Sequence, residues 1–257
     1  MFDVTKYKDA CRDARDDAIR KYPHESCGAI LSDGTYLSFQ NVSNTPESSF
    51  DCGDERNPFF VSGMIVAMVH SHPYEPDSVI LSSQYPADFG PSKHDMIQQL
   101  ADNVPWGIIA TNGKAASDVV FWGNGIPDVP LLGRLFRHGP SGTDGRGDCY
   151  ALIKDYYHQE LHIDLPEGPR DYNWWHTDEN LYHDNLKRAG FYVIQKDQAK
   201  PGDVFFAQVN SKVANHGGIL LEGGLILHHL SNRVSVKEPL LRWRNSIVTW
   251  IRHKERD

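Results

Sequence analysis

The sequence predicts an α+β protein of two domains. Three observations predict it. Residues 5–122 begin with a helical pattern and continue as short apolar strands; residues 123–133, "GNGIPDVPLLG", break the periodicity with Gly and Pro; and from Cys149 onward strong helical periodicity gives way to alternating strands. A chain of 257 residues accommodates two domains of ordinary size. They are placed at 1–123 and 134–257, with 124–133 as linker, the first built on a mixed sheet with flanking helices and the second on an antiparallel sheet.

The elements follow in order. Tyr7, Ala10, Cys11, Ala14 and Ala18 fall at helical spacing among charged residues, so residues 5–21 read as an amphipathic helix that ends before Pro23. Cys27–Leu31, Tyr36–Val42 and Met64–His70 are short, apolar or alternating, and bounded by Gly, Asp, Ser and Pro, which predicts strands. "WGIIATN" and "SDVVFWGN" predict two more, and "SKHDMIQQLADN" a helix. In the second half "DCYALIKDYYHQELH" and "ENLYHDNLKRAGF" predict helices; "PGDVFFAQV", "HGGILLEGG", "LILHHLSNRVSVKEP" and "SIVTWIRH" predict about four strands. No internal repeat is present.

Composition narrows the function classes. A net charge of −8 without a Lys/Arg stripe argues against nucleic acid as partner. No apolar run reaches the ~18 residues of a membrane span. The charged start "MFDVTKYKDACRDARDDAIRKYP" has no secretory h-region, so synthesis in a cytoplasm is expected. The four cysteines, Cys11, Cys27, Cys52 and Cys149, show neither CxxC spacing nor a dense framework, which argues against a zinc ribbon and a disulfide scaffold.

"VHSHP", residues 69–73, sets two histidines two apart in an extended run. Residues i and i+2 of a strand share a face, so His70 and His72 can present two imidazoles to one ion before Pro73 stops the strand. Hydrolytic zinc sites take three protein ligands and leave the fourth position to water. Downstream, Ser92 and Asp95 stand in a Ser-x-x-Asp spacing, which is also that of a capping box at a helix start. Upstream, Glu25 lies where the first helix meets the first strand, and a metal-bound water needs such a carboxylate to take its proton. Glu25, His70-Ser71-His72-Pro73 and Ser92-x-x-Asp95 together resemble the JAMM/MPN metalloprotease family. The resemblance implies that His70, His72 and Asp95 hold Zn²⁺, that Glu25 is general acid/base and that Ser92 stabilises the tetrahedral intermediate. The 18 residues between Pro73 and Ser92 exceed that family's short spacer, a loop long enough to close over the site. His94 is a rival ligand, read as a surface or helix-cap histidine.

A second constellation lies downstream. Cys149 directly precedes a helical pattern, where the helix N-terminus favours a thiolate; the alternative is a small buried apolar residue. His216 begins one strand and His228 lies on the next, across Glu222-Gly223-Gly224, so antiparallel pairing can join the rings, with His229 facing away. Cys149, His216 and His228, with "KPGDVFF", resemble the Cys-His-His set of NlpC/P60 cysteine peptidases over about residues 131–250. The resemblance implies a papain-like fold in which Cys149 is nucleophile, His216 the base and then the acid, and His228 its orienting partner, acting on peptidoglycan stem peptides. That family's oxyanion tyrosine, about twelve residues before the cysteine, is replaced here by Arg137 and His138. Trp174 and Trp175 read as core aromatics or as the lining of a substrate groove.

A JAMM-like domain followed by an NlpC/P60-like domain resembles the tail assembly protein K family of long-tailed phages, of the lambda type. The resemblance implies a tail-tip protein made in the host cytoplasm, other tail-tip proteins as partners, a place in the virion or an assembly intermediate, and local action on the host cell wall. It leaves two functions open: a bifunctional peptidase, or a structural component whose sites are idle.

Overall fold

The computed structural model describes residues 1–257. The chain divides into two compact units, one of residues 1–91, 97–127 and 142–144, the other of residues 92–96, 128–141 and 145–257. No helix is long and apolar enough to cross a membrane.

The first unit carries α1 (Lys8–Lys21), β1 (Cys27–Leu31), β2 (Tyr36–Phe39), the short α2 (Asn57–Val61), β3 (Ile65–Pro73), β4 (Trp106–Thr111) and β5 (Val120–Trp122). Helix α3 (Lys93–Asp102) starts in the stretch grouped with the second unit and ends in the first. The strands form one mixed sheet in the order β2-β1-β3-β4-β5, in which only β3 and β4 run parallel. Both central strands are covered on two faces, which is why they read as nearly unbroken apolar runs. Ala10, Ala14 and Ala18, one helical turn apart, let α1 approach Ile30, Val69 and Ile109 closely. The opposite face buries Cys27, Ala29, Met68, Trp106 and Ile108. β3 runs past His70 to Pro73, because its pairing with β4 continues as His72↔Ala110 and Pro73↔Thr111. The proline thus ends the strand from inside it, three residues later than the sequence boundary. α1 likewise starts at Lys8, after a 3₁₀ turn at Val4–Tyr7.

The second unit carries α4 (Cys149–Leu161), α5 (Leu181–Asn185), β6 (Phe191–Ile194), β7 (Val204–Ala207), β8 (His216–Leu220), β9 (Leu225–His228), β10 (Val236–Pro239) and β11 (Ile247–His253). Its sheet is antiparallel throughout, in the order β10-β9-β8-β7-β11-β6. α4 lies on one face, where Leu152, Ile153 and Tyr157 bury against Val204, Ile219 and Leu227. Each fully buried aliphatic side chain there is worth about 1.5–3 kcal/mol over exposure. Phe205, Leu220, Ile226 and Trp250 pack on the other face.

Two expectations differ from the structure. The single strand read over residues 225–239 is the hairpin β9–β10, with Asn232 at a positive φ of 60° in its connection. The second helix shrinks to the one turn of α5: the chain tightens through Gly190 N–H to Lys187 O and Phe191 N–H to Leu186 O, and Gly190 at φ 82° turns it into β6.

Candidate active sites

In the first unit the register explains the histidine pair. Cys27 pairs with His70, and the ladder continues as the Ser71 amide donates to Ser26 O at 3.0 Å. Directly opposed residues share a face, so His70, His72 and Cys27 project to the same side of the β1–β3 pair, and Glu25 lies two residues before β1. Ser71 faces the other way, and its Oγ accepts from the Ser26 amide at 2.8 Å. His70 and Glu25 are buried and His72 is partly exposed. The two Nε2 atoms lie 3.0 Å apart. Asp95 stands in the first turn of α3, buried, and one ligand atom from each of His70, His72 and Asp95 falls within 4.8 Å of the others. Asp95 also joins a reciprocal cap: its Oδ2 accepts the Ser92 amide at 2.8 Å while Ser92 Oγ accepts the Asp95 amide at 3.1 Å. The capping-box reading of Ser92 and Asp95 is thus met by a bond in each direction, and the same spacing leaves a ligand atom of Asp95 within reach of the imidazoles. His94 is exposed.

The long segment after Pro73 folds onto this unit. Ile80 and Phe89 are buried, and Phe89 stands edge-on to His72 at 6.5 Å between centroids and packs on Tyr85 at 4.3 Å. On the other side Phe50 stacks on His70 at 4.6 Å. The imidazoles are thus held between aromatic walls.

In the second unit Cys149 is the first residue of α4, and Asp148 is its cap, accepting the Ala151 amide at 3.0 Å. Asp148 is buried and doubly bonded by Arg170, at 2.7 and 2.8 Å, which holds its carboxyl down at about 2 despite burial. The Cys149 thiol goes the other way. Burial, then the Asp148 charge, pushes it up to about 11, against the opposing pull of Tyr182, the Gly217 amide and Arg170. The thiol therefore lies above its ordinary value rather than below it as the helix N-terminus led one to expect, because loss of solvation and the neighbouring Asp148 charge both disfavour the thiolate.

Tyr182 Oη lies 3.1 Å from Cys149 Sγ. The position upstream of the cysteine is filled by Arg137 and His138, whose groups are engaged elsewhere: Arg137 donates to His138 O and Pro140 O, and His138 Nε2 pairs with Arg170 O. The phenol beside the sulfur comes instead from α5, a residue that sequence reasoning missed because it follows the cysteine by 33 positions.

His216 and His228 are brought together as the strand pattern predicts. Gly218 sits opposite His228, and a Cβ there would come within 2.8 Å of His228 Cβ, so glycine at this position lets the imidazole sit over β8. His216 Nε2 lies 3.1 Å from His228 Nδ1. His228 Nε2 lies 2.6 Å from Glu238 Oε1, which also accepts Trp243 Nε1–H at 2.7 Å. Since a carboxylate only accepts, His228 carries its proton on Nε2 and presents a lone pair at Nδ1. His216 then donates from Nε2 and keeps Nδ1 basic. Burial depresses His216 to about 3. Glu238 was missed as well: it sits on β10 two residues beyond the partner of His228, and that pairing is invisible until the hairpin closes. His229, the expected bystander, is buried against Phe136 at 5.3 Å.

Cys149, Tyr182 and His216 all line one cavity of about 370 Å³, together with Trp174 and Trp175. The two tryptophans are groove lining, and Trp174 is buried as well. Of the other cysteines, Cys27 and Cys52 are buried and Cys11 is half-buried, its thiol pushed up to about 11 by burial.

Residues 133–250 match the NlpC/P60 family. Over 195 residues, 76% of this chain and 84% of the relative, the chain is 31% identical to the tail tip assembly protein K of Escherichia phage lambda. Over 245 residues, 93% of this chain and 91% of the relative, it is 30% identical to the tail tip assembly protein K of Escherichia phage N15. Among solved structures, the NlpC/P60 domain of the peptidoglycan hydrolase SagA is similar at 18% identity, covering 48% of this chain and 89% of that chain with a TM-score of 0.34.

Proposed function

We propose, because this chain belongs to the tail tip assembly protein K family, that it is a phage tail-tip protein whose second unit is a thiol peptidase acting on peptidoglycan stem peptides. The observation that carries the reading is the run of contacts from Tyr182 to Cys149 on one side of a shared cavity, and from His216 through His228 to Glu238 on the other. With the thiol raised to about 11 and the imidazole lowered to about 3, Cys149 and His216 rest as a neutral pair. Sγ attacks the scissile carbonyl carbon as its proton passes to Nδ1 of His216. The imidazolium is stabilised through His228 by the Glu238 carboxylate, and the Tyr182 hydroxyl, kept protonated by burial, donates toward the developing oxyanion. Collapse expels the amine, which takes the proton from His216. Water, deprotonated by the same imidazole, then hydrolyses the thioester and restores the thiol.

His70, His72 and Asp95 are proposed as the ligands of a zinc-dependent isopeptidase-like site. Two imidazole nitrogens and a carboxylate oxygen are a donor set that suits Zn²⁺ and leaves one position open. Nε2 atoms 3.0 Å apart are close to the ~3.3 Å that two ligands span across a tetrahedral ion. Bound there, the ion would supply Lewis acidity and a water of lowered pKa. Glu25, buried two residues before β1, would take that water's proton and return it to the leaving amine, and Ser92 would donate to the oxyanion.

Digestion of purified murein tests the thiol site: the chain releases soluble peptides with new amino termini and Cys149→Ala does not. Turnover unchanged in Cys149→Ala refutes it. The second reading, a structural tail-tip component with idle sites, has the high resting pKa of Cys149 on its side. It predicts normal particles and full infectivity with Cys149→Ala.

A further inference from the structure

The cavity beside Cys149 differs in character from the surface around it. Its volume of about 370 Å³ is that of a small-ligand pocket. Trp174, Trp175, Leu186, Phe206 and Ile251 furnish apolar walls, reaching from the segment before α5 down to the sheet. Two residues with permanent charges line it, Asp148 and Arg170, and neither has charge to offer a ligand. Arg170 gives two bonds to Asp148 and one to Glu167, and Glu167 is in turn bonded by Lys154 at 2.5 Å. Two carboxylates face two cations in a closed set. Of the four histidines in the lining, His138 and His229 are depressed to about 4 and His216 to about 3 by burial, and the fourth, His176, is exposed. The remaining polar lining is of amide and hydroxyl side chains, among them Asn185, Asn215 and Ser231.

We infer that this cavity is a specificity subsite for an uncharged, apolar side chain adjoining the scissile carbonyl, so that the preferred substrate is a peptide with an aliphatic or aromatic group at that place and its carboxylates outside. The inference rests on Cys149 as nucleophile. A carboxylate entering the cavity loses its water and finds the one permanent cation of the lining, Arg170, already paired with Asp148 and Glu167, whereas an apolar group displaces water from apolar walls.

The test uses the full chain and four thiol reagents: N-methyl-, N-benzyl-, N-(2-carboxyethyl)- and N-(2-aminoethyl)maleimide. Modification of the Cys149 peptide is followed by mass spectrometry, with each rate divided by that reagent's rate toward glutathione. The expected result is N-benzyl at least about tenfold faster than either charged reagent at Cys149. In Ala189→Phe, which fills the cavity from its lining, the benzyl advantage falls while the N-methyl rate holds. The wild-type ratios do not depend on that variant folding. Equal rates, or a faster carboxyethyl reagent, overturn the apolar subsite and leave the nucleophile standing. A Cys149 that reacts with none of the four overturns both.

Discussion

Asp148→Ala removes the residue that ties the nucleophile's helix to its surroundings, and the structure sets the size of the effect. Asp148 Oδ1 accepts the Ala151 amide and Arg170 Nη2, and Oδ2 accepts Arg170 Nε and the Gly139 amide. Loss of the cap alone costs about 1 kcal/mol. Stripping a buried guanidinium of its main partner costs about 3–5 kcal/mol, because Glu167 is already shared with Lys154. The two effects overlap at one side chain, so about 4–5 kcal/mol is expected, or a Tm about 12–20 °C lower for a unit of this size. Differential scanning calorimetry of the full chain reads it from the endotherm of the second unit. Arg170→Met leaves the mirror-image defect, a buried unpaired carboxylate. In the Asp148→Ala/Arg170→Met double variant the loss is well below the sum of the singles, since no buried charge is orphaned. A Tm drop under about 4 °C for Asp148→Ala, or additive losses, would refute the claim that these charges are desolvated and mutually dependent.

Further outcomes follow from the same geometry. Tyr182→Phe deletes the hydroxyl beside the sulfur and lowers kcat/KM on murein peptides by about 100-fold, while calorimetry shows a stability change under about 1 kcal/mol. His138, His216 and His229 are neutral in the fold and take protons when unfolded, so the stability they contribute is present above pH 6.5 and falls as pH drops toward their folded values of about 4, 3 and 4. At pH 5.5 each costs about 1.4 kcal/mol, about 4 kcal/mol together, read as a lower urea midpoint than at pH 7.5. Metal analysis of the purified chain finds one Zn²⁺, and His72→Ala or Asp95→Ala abolishes it; unchanged zinc in both variants counts against the ligand set.

Much of the candidate chemistry was legible as short-range pattern. His70 and His72 share a face because a strand repeats every two residues, and β3 is extended through both. Cys149 opens a helix because Asp148 is a good cap and the following residues are helix formers. His216 and His228 meet because an antiparallel hairpin folds at the Gly-rich turn between them. The errors have a physical pattern too. The second helix was overextended because its apolar spacing continues to Phe191, whereas Gly190 turns the chain first.

Local propensity thus determined the elements, their order and the residues with ligand or nucleophile chemistry, because capping, periodicity and turn preference act over a few residues. Only the tertiary structure decided what surrounds those groups. Tyr182 reaches Cys149 from 33 residues away, Glu238 completes the histidine pair from a strand read as part of its neighbour, and Asp148 and Arg170 cancel each other's charge. Each contact joins residues at least ten positions apart, beyond the reach of local pattern. Burial, which raises the thiol and lowers the imidazole, is a property of packed surroundings that no stretch of chain carries alone.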